Sequence, residues 1–543
     1  VTTAHLFTVH ALLHDAAEAY GADPAITDDA GALLSFTELR DAATATAAAL
    51  RAWGVARGDR VGICMAKSTD QAVAVLGVLL ADAIAVPVLP ALKRDNIAHI
   101  ATDAGLRAAI TDEVRADELR TAAPRLPLLF GTEQADPGDA GGPDDAGGPD
   151  DAGGPDDAVV LPALRRAHAG TAVPGRAISE DVAAIIYSSG STGRPKGIMV
   201  THRNLWHGAR ITSHYLGVRR GDRIAGVLSL NFDYGLNQLW QCLCTGAQLL
   251  LHELVFPASF FQFAAANAVT VLPVMPAIIT RMFDPRLLRR APAVDLSSVR
   301  VVCTSGGPVS DRMLDQVTST FPNAEVFLMY GLTEAFRSTF LEPDQLRARR
   351  GSIGRAIPDV ELLVLDEQLR EVGPGEPGEL VHRGGCVAKG YWNDPVATAE
   401  RFRTLPDHPG ETVVFSGDIV TRDEDGYLYF VGRRDAMIKT SGFRVSPTEV
   451  EDVAARFPGV EACVAVGVPN VEIGADIALV YSAPEPVDEG AYRAFLKDGL
   501  PGHMVPRHLI ARDGLPTLGN QGKMDRRAVA DSVLDQVGPA AGA

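Results

Sequence analysis

Short apolar strands alternate with helices of amphipathic period along most of this chain, and that rhythm limits the fold more than any single residue. Leu39, Ala43, Ala47 and Leu50 recur at helical spacing behind Ser35-Phe36-Thr37, so a helix is predicted over 36–53. Gly58-Asp59 reads as a turn, Arg60-Val61-Gly62-Ile63-Cys64 as a buried strand, 69–81 as a helix and Ala85-Val86-Pro87-Val88 as the next strand. Such alternation builds βαβ units, so the predicted class is α/β, with mixed or parallel sheets flanked by helices. The rhythm resumes near residue 181 and runs past residue 380. Its texture changes after Asp425-Gly426, a hairpin turn before the strand Tyr427-Leu428-Tyr429-Phe430-Val431. Polar punctuation at Gly432-Arg433-Arg434-Asp435 precedes a compact α+β unit with helices at 447–457 and 489–500 and strands at 462–466 and 509–511. A large N-terminal region, 1–432, and a small C-terminal domain, 433–543, are therefore expected. Residues 140–158 carry Ala-Gly-Gly-Pro-Asp-Asp three times, with no side chains for a core. That stretch is expected to be a flexible surface loop without catalytic role.

Of the 543 residues, 46% are hydrophobic and 22% charged, enough apolar material for several cores. A net charge of −18 argues against binding nucleic acid or anionic membranes, which call for clustered Lys and Arg. Cys64, Cys242, Cys244, Cys303, Cys386 and Cys463 form no CxxC pair, which suits a reducing cytosol and a cytoplasmic protein. No secretory signal and no membrane-spanning run are read.

The most informative stretch is Ile185-Ile186-Tyr187-Ser188-Ser189-Gly190-Ser191-Thr192-Gly193-Arg194-Pro195-Lys196-Gly197. An apolar strand enters a loop with three glycines, four hydroxyls and a lysine. Glycines let backbone N–H groups turn toward an anion, hydroxyls add donors, and Lys196 adds charge. Thr201-His202-Arg203-Asn204-Leu205 then starts a helix, whose N-terminus favours negative charge. The nucleotide-triphosphatase P-loop places Gly directly before Lys and Ser or Thr after it; here Arg194-Pro195 intervene and Gly197 follows.

Tyr187 to Gly197 resembles the signature of the adenylate-forming superfamily, which includes acyl-CoA synthetases, peptide-synthetase adenylation domains and firefly luciferases. Four further segments fall in that family's order: Met329-Tyr330-Gly331-Leu332-Thr333-Glu334-Ala335, Phe415-Ser416-Gly417-Asp418, Gly432 to Lys439 with Gly442-Phe443-Arg444-Val445, and Gly519-Asn520-Gln521-Gly522-Lys523. The resemblance covers nearly the whole chain. It implies ATP and Mg²⁺ as cofactors, pyrophosphate release and a mobile C-terminal domain that swivels at Asp435. It assigns the nucleotide to Ser188, Ser189, Gly190, Ser191, Thr192, Gly193 and Lys196, with Thr192 and Lys196 also catalytic. It adds Ser305, Gly306 and Gly307, where small residues let a planar base lie against backbone, then Met329, Tyr330 and Gly331, with Tyr330 facing adenine. Thr333 would meet the α-phosphate, Glu334 would ligate Mg²⁺, and Asp418 with Arg433 would hold the ribose. Lys523 would bridge the acid oxygen and the α-phosphate during transfer, where developing charge must be stabilised.

The same resemblance places Asp233, Tyr234, Asn237, Pro273, Cys303, Ser305, Met329, Arg337 and Ser338 around the acid. Peptide-synthetase domains hold the substrate's α-amino group with an Asp at the position of Asp233; alternatively Asp233 caps the helix beginning near Tyr234. A buried Arg337 needs a partner, either Asp233 or a second acidic or polar group of the substrate. Both readings favour a small polar or amino-bearing acid. Two thiol acceptors follow from the resemblance: coenzyme A, giving an acyl-CoA ligase, and the phosphopantetheine of a carrier protein, giving a stand-alone adenylation enzyme. A non-carboxylic acid, a non-thiol acceptor and a non-catalytic binding module of the same fold complete the alternatives.

Overall fold

The computed structural model describes residues 7–90, 92–131, 159–189, 194–254, 257–283, 294–307, 309, 311–433, 438–445, 447–518, 523–524 and 526–537. The acidic repeat lies outside these residues.

Local signals set the N-terminal elements. Ser35 accepts from the Glu38 N–H while the Glu38 carboxylate accepts from the Ser35 N–H, a capping box that starts the helix Phe36–Ala52. Its Leu39, Ala43, Ala47 and Leu50 are buried, as their spacing requires. It packs on the helix Thr69–Leu80, capped by Ser68. One sheet runs in the order Val159–Val160, Leu128–Phe130, Ala108–Thr111, Arg60–Cys64, Ile84–Pro87, Val182–Ser189, Pro195–Thr201. Its first six strands are parallel and the last is antiparallel.

That last strand departs from expectation. The helix expected to start at Thr201-His202 does so, but residues 195–201 before it form a strand that folds back along Val182–Ser189, pairing Ser188 with Lys196 and Val182 with Thr201. Gly197-Ile198-Met199-Val200 can be paired and buried on this sheet, and Ile198 and Val200 are. The helix His202–Tyr215, capped by Thr201 with Asn204 in a second capping box, therefore begins at the far end of the hairpin.

A second, fourteen-stranded sheet is mixed. Parallel strands Arg223–Gly226, Gln248–Leu251, Val271–Val274, Val301–Thr304 and Glu325–Tyr330 join an antiparallel half that includes Gly378–Gly384, His408–Arg422 and Leu428–Arg433. The segments that follow the carboxyl ends of three of the parallel strands, at Met275, at Ser305-Gly306-Gly307 and at Gly331 to Glu334, line one cavity, the usual place for a site on such a sheet.

The smaller C-terminal part is a sheet of Ala462–Asn470, Gly474–Ser482 and His508–Arg512 between two layers of helix. Its alternation is strict. Ala465, Ile477, Leu479 and Tyr481 pack with Val450, Tyr492 and Leu496 of the helices Pro447–Ala454 and Glu489–Gly499. Val464, Val466, Ala478 and Val480 face Val529 and Val533 of the helix Arg526–Val537 on the other side. The helix expected to reach residue 457 ends at Ala454, and Phe457 turns in to pack on Tyr492 at 4.7 Å. No helix of the described residues is long and apolar enough to cross a membrane.

Candidate active site

A cavity of about 1280 Å³ opens between the large region and the C-terminal part, with both contributing walls. At one end the hairpin 182–201 presents Ser188 and Lys196. The Lys196 ammonium lies 3.3 Å from Asp394 and 5.4 Å over the Tyr391 ring. Tyr391 donates its hydroxyl to Glu334 at 2.8 Å, and the Ala388 N–H holds the Glu334 carbonyl. Thr333 and Glu334 occupy a short turn directly after the strand Glu325–Tyr330. Cation, hydroxyl and carboxylate thus converge on one wall, although their positions run from 196 to 394. Asp394 also accepts from Ala397 N–H at the start of the helix Pro395–Arg401. That bond, then the nearby Lys196, holds its carboxyl below the usual range. Tyr391 and Asp394 were missed by sequence reasoning; the dense run Gly-Tyr-Trp-Asn-Asp-Pro at 390–395 was the available signal.

No cluster of three or more His, Cys, Asp or Glu suited to a metal occurs among the described residues. The donor set fits Mg²⁺ nonetheless. That ion is commonly held by one or two carboxylates together with phosphate oxygens and water, and Glu334 offers a hard carboxylate in the wall.

The next wall is built by Tyr330, Met329, Gly331, Ser305, Gly306 and Gly307. Tyr330 donates its hydroxyl to Asp418, which is fully buried behind the cavity surface. Asp418 sits directly opposite Arg433 in the antiparallel pairing, so the two expected ribose contacts share one register position. The Arg433, Ser189 and Lys523 side chains, and Gly190, Ser191, Thr192, Gly193 and Asp435, lie outside the described residues. The backbone of Lys523 pairs with Leu518 in a small hairpin.

The far end of the cavity holds the expected acid residues in two layers. Asp233, Tyr234, Ser305, Met329 and Arg337 line it. Asn237, Pro273, Cys303 and Ser338 do not reach its surface: Asn237 is tied to Thr212 at 3.1 Å, and Cys303 supplies a carbonyl to the Tyr234 hydroxyl at 2.9 Å. Gly235 allows this packing, because a Cβ there would stand 1.8 Å from the Ser229 carbonyl oxygen. Asp233 opens the helix Asp233–Thr245, accepts from the Tyr234 N–H at 2.7 Å, and lies 3.7 Å from Arg337. Asp233 is therefore the first residue of the helix and not its cap, since Phe232 stands at the cap position without a side-chain capping bond, while the anticipated guanidinium partner is present. Arg337 is 3% exposed and stacks over Tyr234 at 4.4 Å. Burial raises the Tyr234 phenol well above its ordinary pKa and the Cys303 thiol to about 11, so both are neutral.

From the C-terminal side a hairpin at 438–445 enters the cavity with Ile438, Lys439, Gly442 and Phe443. Gly442 and Gly306, both at positive φ (+82° and +93°), face each other backbone to backbone. Phe443 stacks on His503 at 3.7 Å and meets Phe232 edge-on at 5.9 Å. Burial pushes the His503 pKa down to about 4, so the ring is neutral at physiological pH.

Residues 13–392 match the family described as AMP-binding enzyme. The chain is similar to surfactin synthase subunit 2 of Bacillus subtilis, 28% identical over 92% of this chain, and spans 13% of that protein's length. Among solved structures, o-succinylbenzoate CoA synthetase of B. subtilis, bound with a product analogue, shares the fold at a TM-score of 0.80, 22% identity, and coverage of 96% of this chain and 98% of that one. ATP-bound MatB of Rhodopseudomonas palustris is 26% identical over 98% of this chain and 99% of that one, with a TM-score of 0.67.

Proposed function

The chain belongs to the AMP-binding enzymes of the adenylate-forming superfamily, and from that premise we propose that it activates a small amino-bearing carboxylic acid and passes the acyl group to the pantetheine thiol of a carrier protein. The observation that carries the reading is the single cavity that sets Ser188, Lys196, Thr333 and Glu334 at one end and Asp233 at the other. In the first step a carboxylate oxygen bonds to the α-phosphorus of ATP while the α–β phosphoanhydride breaks and pyrophosphate leaves. Little covalent chemistry falls to the protein; it aligns the reactants and balances charge. Lys196 and the hydroxyls beside it meet the phosphates, and Thr333 donates to the α-phosphate. Glu334 would hold Mg²⁺, whose charge would offset that of the phosphates. Asp418 and Arg433 take the ribose once the Tyr330 hydroxyl releases the carboxylate, and Lys523 approaches from the C-terminal side to bridge the two reacting groups. In the second step the pantetheine sulfur attacks the acyl carbon, a thioester forms and AMP leaves. The hairpin 438–445, already seated beside Gly306, is placed to line the path of the thiol, with Asp435 as the swivel.

The carrier-protein acceptor is favoured over coenzyme A because Asp233 stands in the cavity wall and because the chain aligns over nearly its whole length with a segment of surfactin synthase subunit 2. ATP–pyrophosphate exchange across amino, hydroxy, aryl and fatty acids tests the first step; acyl transfer to a holo carrier protein and to coenzyme A, measured side by side, tests the second. Exchange supported by amino acids and transfer faster to the carrier are expected. Exchange with fatty acids alone, or transfer to coenzyme A alone, would overturn the proposal.

A further inference from the structure

We infer, resting on the reading that Asp233 receives the substrate's ammonium group, that the acid carries a second carboxylate and that Arg337 holds it. Arg337 is 3% exposed and lines the acid end of the cavity. One of its terminal nitrogens, Nη1, donates to the carbonyl of neighbouring Phe336 at 3.0 Å and stands 3.7 Å from Asp233, beyond a hydrogen bond. Among the described residues its Nε and Nη2 are buried without a hydrogen-bond partner. Leaving two guanidinium donors unpaired in a dry site is costly, and native interiors rarely do so. Nε–H and Nη2–H are also the side-on fork of a guanidinium, whose spacing matches the two oxygens of a carboxylate. The Tyr234 ring, 4.4 Å away, fixes the plane of that fork.

Charge balance leads to the same group. Without substrate, Asp233 and Arg337 neutralise each other. An ammonium arriving at Asp233 must share that carboxylate with the guanidinium, which leaves one positive charge in excess in a buried wall. The reacting carboxylate is unable to compensate for it. When its oxygen bonds to the α-phosphorus, the acid becomes a neutral mixed anhydride, and the negative charge resides on the phosphate. A second carboxylate, not consumed by the reaction, restores balance throughout the first step. The substrate class is therefore an amino dicarboxylic acid, with one carboxyl activated and the other retained by Arg337.

ATP–pyrophosphate exchange on the full chain decides this, with aspartate, glutamate, their amides asparagine and glutamine, the deamino acids succinate and glutarate, and neutral amino acids such as alanine and leucine as probes. The expected wild-type result is a kcat/KM for one dicarboxylic amino acid at least about tenfold above that of its amide, because a site built around buried donors rejects ligands that leave them unpaired. Arg337→Gln is expected to abolish that ratio while the KM for ATP changes little, and Arg337→Lys, which keeps the charge but loses the fork, to retain part of it. If Arg337→Gln does not fold, as its thermal unfolding will show, the wild-type ratio and Arg337→Lys remain decisive. A wild-type preference for neutral amino acids overturns this inference and leaves the amino-acid reading intact. A preference for succinate or glutarate over every amino acid overturns the role of Asp233 instead. A ratio unchanged by both Arg337 variants shows that the guanidinium does not read the substrate.

Discussion

Lys523 is the residue proposed to act on the reacting atoms themselves, and its loss is expected to separate the two half-reactions. One charge-stabilising contact in a transition state is worth ~3–4 kcal/mol, or about 10²–10³ in rate. Lys523→Ala is therefore expected to slow pyrophosphate release in single turnover by at least that factor. Thioester formation from synthetic acyl-adenylate should fall far less, since the lysine has no part in the attack of sulfur. Equal losses in both would show that the lysine is structural. Asp233 is expected to behave differently. Asp233→Ala should raise the KM for the acid far more than that for ATP and narrow the gap between that acid and its deamino analogue. A drop in thermal stability with unchanged acid preference would instead make Asp233 only the partner of Arg337, 3.7 Å away.

Among the elements, the hairpin 438–445 reaches into the cavity by a backbone-to-backbone approach at Gly442 and Gly306. Gly442 holds φ +82°, and a Cβ on it would lie 3.2 Å from the Gly306 carbonyl oxygen and 3.2 Å from the Met275 sulfur. An added methyl meets both a conformational penalty and a backbone neighbour with little room to yield. Gly442→Ala is expected to unseat the hairpin and slow acyl transfer, by up to about 100-fold if the thiol path shifts by an ångström. ATP–pyrophosphate exchange should be nearly unchanged, since it draws on the opposite hairpin, at 182–201. Rapid-quench measurement of each step checks this, and a loss confined to exchange would contradict it.

At the scale of the whole molecule, the C-terminal part makes polar contacts with the rest at Glu449, Arg456 and Glu472, besides the contacts of the hairpin 438–445. Asn96 donates to Glu449 at 3.2 Å, Arg456 lies 3.3 Å from Asp95, and Arg312 lies 3.4 Å from Glu472. The two ion pairs are exposed and contribute little. Glu449 is 7% exposed, and burial raises its pKa to about 7 against the bond from Asn96 that lowers it. The folded state therefore binds this proton more tightly than the unfolded state. Its contribution is fully present below the ordinary value of 4.5 and is lost as pH rises through about 7, which costs about 3 kcal/mol above that window. Thermal unfolding of the wild type should shift to lower temperature between pH 5 and pH 8. Glu449→Gln should flatten that slope and raise the midpoint at pH 8. A slope unaltered by the substitution would place the pH dependence elsewhere.

Much of this molecule is legible along the chain. The helices beginning at Phe36 and Thr69 and the strand Arg60–Cys64 stand where periodicity and caps put them, because such signals act within four residues of one another. The strands expected at 462–466 and 509–511 are present within Ala462–Asn470 and His508–Arg512, whereas Gly474–Ser482, the central strand of that sheet, is not among the expected elements. The family signature is local for the same reason: a loop that wraps phosphate needs its glycines, hydroxyls and lysine in one run. The outcome differs where partners are distant. That 195–201 pairs as a strand and starts the helix His202–Tyr215 beside Val182 depends on an open edge beside Val182–Ser189. That Tyr330 closes on Asp418, Tyr391 on Glu334 and Asp394 on Lys196 depends on sheets that bring residues 57 to 198 positions apart into contact. Sequence periodicity determined which faces must be buried; only tertiary packing decided which buried charges meet, because a hydrogen bond or ion pair is specified by position in space, and one chain pattern is compatible with many such positions.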